Sequence, residues 1–85
     1  MDKQEIVRDL KRFFADEMLD GDDSDLTAET SLIDYGLLNS LTVSRLAVHC
    51  ETRYGVEFEP EDLTPRKLKT LALIAELILA RRGSG

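Results

Sequence analysis

The fold is decided by residues 31–41, which have the sequence Ser31-Leu32-Ile33-Asp34-Tyr35-Gly36-Leu37-Leu38-Asn39-Ser40-Leu41. This segment begins with turn-forming residues yet is rich in leucine, so we predict a loop that its own leucines hold in place. Gly36 can adopt a positive φ at low cost. Asn39 is a favourable N-cap, which places Ser40 at the first position of the helix that follows, with its hydroxyl at a surface corner.

The predicted position of Ser40 suits an anion. The first N–H groups of a helix have no intrahelical partner, and they lie at the positive end of the helix dipole. An anion bonded to the Ser40 oxygen would be stabilised by about 0.3–1 kcal/mol at an exposed site. We therefore predict that this serine carries a phosphodiester.

The length of 85 residues predicts one domain over residues 1–85, with a core from about residue 3 to residue 80 and a flexible tail at residues 83–85. A chain this short leaves little room for an interior active site. It contains no long apolar run, so we expect no signal peptide and no membrane span. Its single cysteine excludes an intrachain disulfide, which fits a cytoplasmic protein.

Charge is unevenly distributed along the chain, whose net charge is −6. Residues 20–34 carry six acidic residues and no basic one, and residues 57–62 carry four acidic residues and no basic one. Residues 65–82 instead carry five basic residues against Glu76. An acidic chain repels a phosphate backbone, so nucleic acid is not an expected partner. Solvated loops are the simplest interpretation of the acidic runs.

Apolar spacing predicts an all-α fold of three main helices and one short helix. The predicted elements are a helix over residues 3–18, a long loop over residues 19–39, a helix over residues 40–54, a one-turn helix at residues 59–63 and a last helix. Local signals would start the last helix at Pro65, but Arg66, Lys67 and Lys69 are unfavourable in a first turn. The residues alone therefore leave the start of the last helix open between Pro65 and about Thr70.

The second helix has two contrasting faces. Its core stripe comprises Val43, Leu46, Ala47, Cys50 and Tyr54. Cys50 on that stripe is expected to be a small buried hydrophobe and not a nucleophile. The opposite face carries Arg45, His49 and Arg53, and His49 is interpreted as a solvated histidine. One imidazole without further ligands makes no metal site.

A catalytic role for Ser40 is disfavoured by the sequence. A serine nucleophile needs a base within roughly 3 Å. The only histidine, His49, lies nine residues further along the same helix, about 13 Å away by helix rise. We therefore expect a modified serine and not an enzyme.

The string Gly36-Leu37-Leu38-Asn39-Ser40-Leu41 resembles the attachment motif of the acyl and peptidyl carrier proteins. In that family an Asp-Ser-Leu or Asn-Ser-Leu step carries a 4'-phosphopantetheine arm on the serine. The layout of helix, long loop, helix, short helix and helix is also similar. In that family the last helix usually begins a few residues later, after a short turn, so the resemblance favours the later start, near Thr70. The resemblance implies a four-helix carrier-protein bundle, with the arm on Ser40 and with Asn39 and Leu41 beside it.

The resemblance also implies the partners of the chain. They are a phosphopantetheinyl transferase, an adenylating or other loading enzyme, and enzymes that modify the cargo, and the carrier itself is expected to be a monomer. We expect these enzymes to contact an exposed surface made by Leu38, Thr42, Arg45 and Val48.

Two features bear on the pathway. Residues 40–54 sum to a charge of +1, whereas carriers of bacterial fatty acid synthesis present an acid-rich second helix. The Asn-Ser step together with the Leu63-Thr64-Pro65-Arg66-Lys67-Leu68 connection is similar to discrete peptidyl carriers that hold prolyl and pyrrolyl thioesters. The alternatives are another aminoacyl cargo, a polyketide-type or fatty acyl carrier, and an unmodified helical adaptor that uses Leu38, Leu41 and Val48 as a contact patch.

Overall fold

The computed structural model describes residues 2–22, 24 and 26–84, with the backbone alone described for residues 83 and 84. The elements in chain order are helix α1 (Lys3–Met18), helix α2 (Ser40–Tyr54), the 3-10 helix η1 (Pro60–Asp62) and helix α3 (Leu71–Ser84). The described ranges contain no strand, so the all-α prediction is confirmed. No helix among these residues is long and apolar enough to cross a membrane.

Helix α1 begins and ends where its sequence predicts. The Asp2 side chain accepts a hydrogen bond from the Glu5 N–H, and the Glu5 side chain accepts one from the Asp2 N–H, which completes a capping box. Helix α1 buries its apolar stripe, which consists of Ile6, Leu10, Phe14 and Ala15. The spacing of these residues places them on one face of the helix.

Helices α2 and α3 are bounded by local signals of different kinds. Helix α2 ends at Gly55, which has a φ of +69° and whose N–H bonds to the Glu51 carbonyl at 3.0 Å. Helix α3 follows Thr70, whose hydroxyl accepts a hydrogen bond from the Leu73 N–H at 3.1 Å. The predicted late start of the last helix is therefore confirmed.

The core lies between α1 and α3, with α2 closing it. Helix α3 contributes a fully buried stripe made of Leu71, Ile74, Ala75 and Ile78. Leu46 and Cys50 contribute from α2 and have no exposed surface. Each large aliphatic side chain that is fully buried stabilises the fold by about 1.5–3 kcal/mol.

The long loop between α1 and α2 is fixed by its leucines. Leu26, Leu32 and Leu37 are each no more than 2 % exposed. The Leu32 N–H bonds to the Lys69 carbonyl at 2.8 Å, and the Leu37 N–H bonds to the Leu32 carbonyl at 2.8 Å. Gly36 has a φ of +70° between them. The loop therefore delivers the chain to the start of α2 in a defined conformation, as predicted.

The C-terminal segment was predicted to be a flexible tail over residues 83–85. The backbone of residues 83 and 84 belongs to α3, and Gly85 lies outside the described residues. The flexibility of this segment therefore stays a prediction.

Candidate functional site

A reciprocal pair of hydrogen bonds fixes the start of α2. The Asn39 side-chain oxygen accepts a hydrogen bond from the Thr42 N–H at 2.9 Å, and the Thr42 hydroxyl accepts one from the Asn39 N–H at 2.9 Å. This arrangement is a capping box in which threonine takes the place of the usual glutamate. It confirms Asn39 as the N-cap and Ser40 as the first residue of the helix.

The expectation that Thr42 is an exposed contact residue is wrong, because Thr42 is only 2 % exposed. Its hydroxyl donates a hydrogen bond to the Leu37 carbonyl at 2.8 Å while it accepts the bond from Asn39. Thr42 thereby joins the end of the loop to the first turn of the helix. A partner could reach this side chain only if the cap opened. The Asn-x-x-Thr spacing was the signal that could have indicated this role.

Ser40 lies next to the cap but takes no part in it. The residue is exposed, and its hydroxyl forms no hydrogen bond with the part of the chain that the structure describes. The first turn of α2 contains no acidic residue. The Ser40 oxygen is therefore accessible, beside free backbone N–H groups and away from negative charge in its own turn.

A shallow groove of about 410 Å³ runs beside Ser40. Its apolar walls come from two parts of the chain, with Leu38 and Val43 on one side and Leu63 and Pro65 on the other. Leu63 and Pro65 follow η1 directly and could not be assigned to this site from sequence, since only the packing of η1 brings them to the start of α2. Anything attached to the Ser40 oxygen would have an apolar surface next to it.

The outer surface of α2 is apolar near Ser40. Leu41 is 60 % exposed and Val48 is 63 % exposed, as predicted for residues that face partners. Leu38 is partly buried against the core, so only part of it is open to contact. The Arg45 guanidinium forms an ion pair with the Glu17 carboxylate of α1 at 3.0 Å, which reduces the positive charge that Arg45 adds to this surface.

The interpretation of His49 as a solvated histidine is wrong, because its ring packs against α1. Its Nε2 lies 2.8 Å from Asp9 Oδ2, and its ring centroid lies 4.7 Å from that of Phe13. The Tyr54 hydroxyl also donates a hydrogen bond to Asp9, and Arg53 Nε lies 3.5 Å from the same carboxylate. Residues forty positions apart in sequence form this cluster, so helical spacing alone could not reveal it.

The charge state of the Asp9 carboxylate follows from this cluster. Burial raises the pKa of Asp9, but hydrogen bonds with Tyr54 and His49, together with electrostatic interactions with His49 and Arg53, outweigh that effect. The pKa of Asp9 is therefore lowered, and the carboxylate stays ionised. Asp9 holds His49 on the α1 side of the helix, so His49 is not positioned as a base for Ser40.

Cys50 is fully buried, as predicted. Burial, together with the nearby charge of Asp9, raises the pKa of its thiol to about 12. The thiol is therefore protonated at neutral pH and is not a nucleophile. This chain holds no other cysteine, so any cargo held as a thioester needs a thiol from outside the chain.

Comparison with known proteins agrees with this geometry. The model of the phosphopantetheine attachment site family matches residues 8–78, which covers most of the chain and includes the capped start of α2. No curated protein matches the chain. The exposed hydroxyl of Ser40, the free N–H groups and the adjacent apolar groove fit a phosphopantetheine group. The chain therefore belongs to the phosphopantetheine attachment site family, whose members are non-catalytic carriers of a covalent 4'-phosphopantetheine that a phosphopantetheinyl transferase attaches and client enzymes use.

Proposed function

We propose that Ser40 is the residue that carries the arm, and that the protein holds an aminoacyl or acyl intermediate as a thioester. The observation that carries this proposal is the exposed hydroxyl at the first position of α2, which has no hydrogen-bond partner among the described residues. The bound arm supplies the terminal thiol that Cys50 cannot supply. The transferase and the client enzymes make and break every bond, while this chain presents the cargo.

The residues around Ser40 have distinct supporting roles in this proposal. Asn39 and Thr42 fix the first turn, so that the N–H groups near the Ser40 oxygen keep one orientation toward a phosphodiester. Asn39 stands where aspartate is more common in carriers. Its amide caps the helix without placing a second negative charge beside the phosphate. Leu41, which is largely exposed, is free to contact the arm or a client enzyme.

We further propose that the protein is a discrete peptidyl carrier, and that prolyl or pyrrolyl thioesters are its first candidate cargo. Glu51 is the only acidic residue in α2. Arg45 is paired with Glu17, and Arg53 lies near Asp9. The exposed surface of α2 is therefore close to neutral, although the formal charges of residues 40–54 sum to +1. A client enzyme with a basic docking patch gains little from such a surface. This argues against a fatty acyl carrier.

The surface around Ser40 instead suits a partner that docks through apolar contact with Leu41 and Val48. The proposed partners are an adenylating enzyme that loads the arm and enzymes that modify the loaded cargo. We propose the cytoplasm as the place where this occurs. Tethering the cargo raises its effective concentration at each client enzyme.

The attachment residue is tested by intact-protein mass spectrometry after incubation with coenzyme A and a promiscuous phosphopantetheinyl transferase. Ser44→Ala is the matched control for Ser40→Ala, because Ser44 is an exposed serine one turn later on α2. We expect the wild type and Ser44→Ala to gain one arm and Ser40→Ala to gain none, with helical circular dichroism unchanged in all three. Absence of transfer to the folded wild type would instead support the unmodified adaptor.

The cargo is tested with the modified protein. It is incubated with ATP and adenylating enzymes that activate proline or other amino acids, and in parallel with a malonyl-transferring enzyme. We expect aminoacyl loading, with proline among the accepted acids. Loading by the malonyl-transferring enzyme alone would assign the protein to polyketide or fatty acid chemistry.

A further inference from the structure

Helix α3 is apolar on its outward side as well as on its core side. Leu73 is 40 % exposed, Leu77 is partly exposed and Ala80 is exposed. These three residues follow one another at spacings of four and three, so they form one stripe, here called the outer stripe. A helix that packs on one side only normally carries polar residues on the other side.

The outer stripe lies in a groove of about 540 Å³. The remaining lining residues are all charged, and they are Asp62, Arg66, Lys67, Glu76 and Arg81. None of the residues that line this groove also lines the groove beside Ser40. A partner could therefore occupy the α3 groove without occupying the Ser40 groove.

The acidic residues of the α3 groove are already paired. Arg81 Nη2 lies 2.7 Å from Asp62 Oδ1, and Lys67 Nζ lies 3.4 Å from the same oxygen. Glu76 pairs with Lys3 of α1 at 3.2 Å. Arg66, by contrast, is exposed and forms no ion pair with any described residue. Glu59 and Glu61 also lie near Arg81, so the positive charge that the groove offers to a partner is centred on Arg66.

This positive charge is exceptional for the chain. Residues 65–82 hold five basic residues and one acidic residue, while the rest of the chain holds six basic and 16 acidic residues. The segment that bears α3 thus has a net charge of +4, and the remainder has −10. Because the remainder of the chain has a negative net charge, an acidic partner is favoured at the α3 segment over the rest of the chain.

We propose that the α3 groove docks an acidic amphipathic helical segment of another protein. Its apolar side chains lie on the outer stripe, and its carboxylates face Arg66. The docked segment need not cover Ser40, because the two grooves have no lining residue in common. This surface would hold the carrier near a partner while client enzymes act at Ser40.

The same charges disfavour the other occupants of an apolar and basic surface. The molecule measures 33 × 25 × 20 Å, and the Debye length is about 8 Å at physiological salt. Glu59 and Glu61 lie near Arg81, which lines the groove, so a flat anionic membrane on this face would also approach their carboxylates, whereas a single helix can contact the groove alone. A second copy of this chain that docked symmetrically through the same face would bring its own positive α3 segment against this one, which disfavours such a dimer.

The proposal is tested on the isotope-labelled protein carrying its arm, by NMR titration with a capped helical peptide that has leucines at one-turn spacing and glutamates on its other face. Two control peptides replace each glutamate by lysine or each leucine by serine. We expect the acidic peptide to shift the resonances of the outer stripe and of Arg66, and both control peptides to bind at least about fivefold more weakly. Shifts centred on α2, or equal binding of the acidic and basic peptides, would overturn the proposal.

Charge reversal in the protein completes the test. Arg66→Glu is expected to weaken binding of the acidic peptide by about five- to tenfold. Arg8→Glu, at an exposed arginine of α1 that does not line the groove, is the matched control and should leave binding unchanged. Equal loss in both variants would show a non-specific charge effect and refute the site. Binding to vesicles that contain phosphatidylserine, without binding of the peptide, would assign the surface to membranes instead.

Discussion

The hydroxyl of Thr42 is predicted to stabilise the junction between the long loop and α2. Thr42→Val keeps the shape of the side chain but removes two hydrogen bonds, one to the buried Leu37 carbonyl and one from the partly exposed Asn39 N–H. A buried carbonyl left without a partner costs about 1–3 kcal/mol, and the second bond adds about 1 kcal/mol. Since water can reach Asn39, we expect a total loss of about 2–3 kcal/mol in the free energy of unfolding.

Urea unfolding and a thermal scan, both followed by circular dichroism, measure this loss. In a domain of this size, 1 kcal/mol corresponds to roughly 4–8 °C, so Tm should fall by about 10–20 °C. Thr52→Val is the matched control, because Thr52 is exposed on the same helix, and its Tm should stay close to that of the wild type. Equal Tm values for the two variants would show that the capping network does not fix the start of α2.

Three further predictions follow from single side chains. Asp62→Asn should lower the free energy of unfolding by about 2 kcal/mol at pH 7, because Asp62 is buried. The control Asp34→Asn, at an exposed residue, should leave that free energy unchanged. The hydrogen bond from Arg81 lowers the pKa of Asp62, so the stabilisation by Asp62 is present above about pH 4 and is lost as pH falls through the lowered pKa. If the free energies of unfolding of the wild type and Asp62→Asn differed more in acid than at pH 7, this prediction would be wrong. Cys50 in the folded protein without its arm should react slowly with Ellman's reagent at pH 8, while the arm's thiol reacts at once; fast reaction of the unmodified protein would show that the core is open. Gly36→Ala should cost about 1–2 kcal/mol in urea unfolding through its φ of +70° alone, since no atom lies within 4 Å of the added Cβ; an unchanged midpoint would mean that the loop relaxes around the new side chain.

Local signals predicted the parts of the fold that depend on neighbouring residues. Asn39 and Gly55 bound α2 through a cap and a backbone conformation that a short sequence specifies, whereas local signals alone would have started α3 at Pro65 and not after Thr70. Because Asn39 is the N-cap, Ser40 is the first residue of α2. The exposed position of Ser40 at the start of α2 was therefore predictable before any packing was known.

Predictions that needed tertiary packing were less accurate. Helical spacing placed His49 on an exposed face, but α1 covers that face and Asp9 binds the ring. The burial of Thr42 could not be predicted from helical spacing, because its hydrogen bond to the Leu37 carbonyl depends on where the preceding loop ends. The pairing of Asp62 with Arg81 joins η1 to the end of α3, and no periodicity within either element indicates it.

Attachment of the arm at Ser40 is tested most directly by tandem mass spectrometry of the protein purified from the cell that makes it. Fragmentation of the intact chain locates the phosphopantetheine on one residue. We expect a single arm on Ser40 and none on Ser31 or Ser44. An arm on another serine, or a chain that is bare in the cell while its transferase is active, would contradict this expectation.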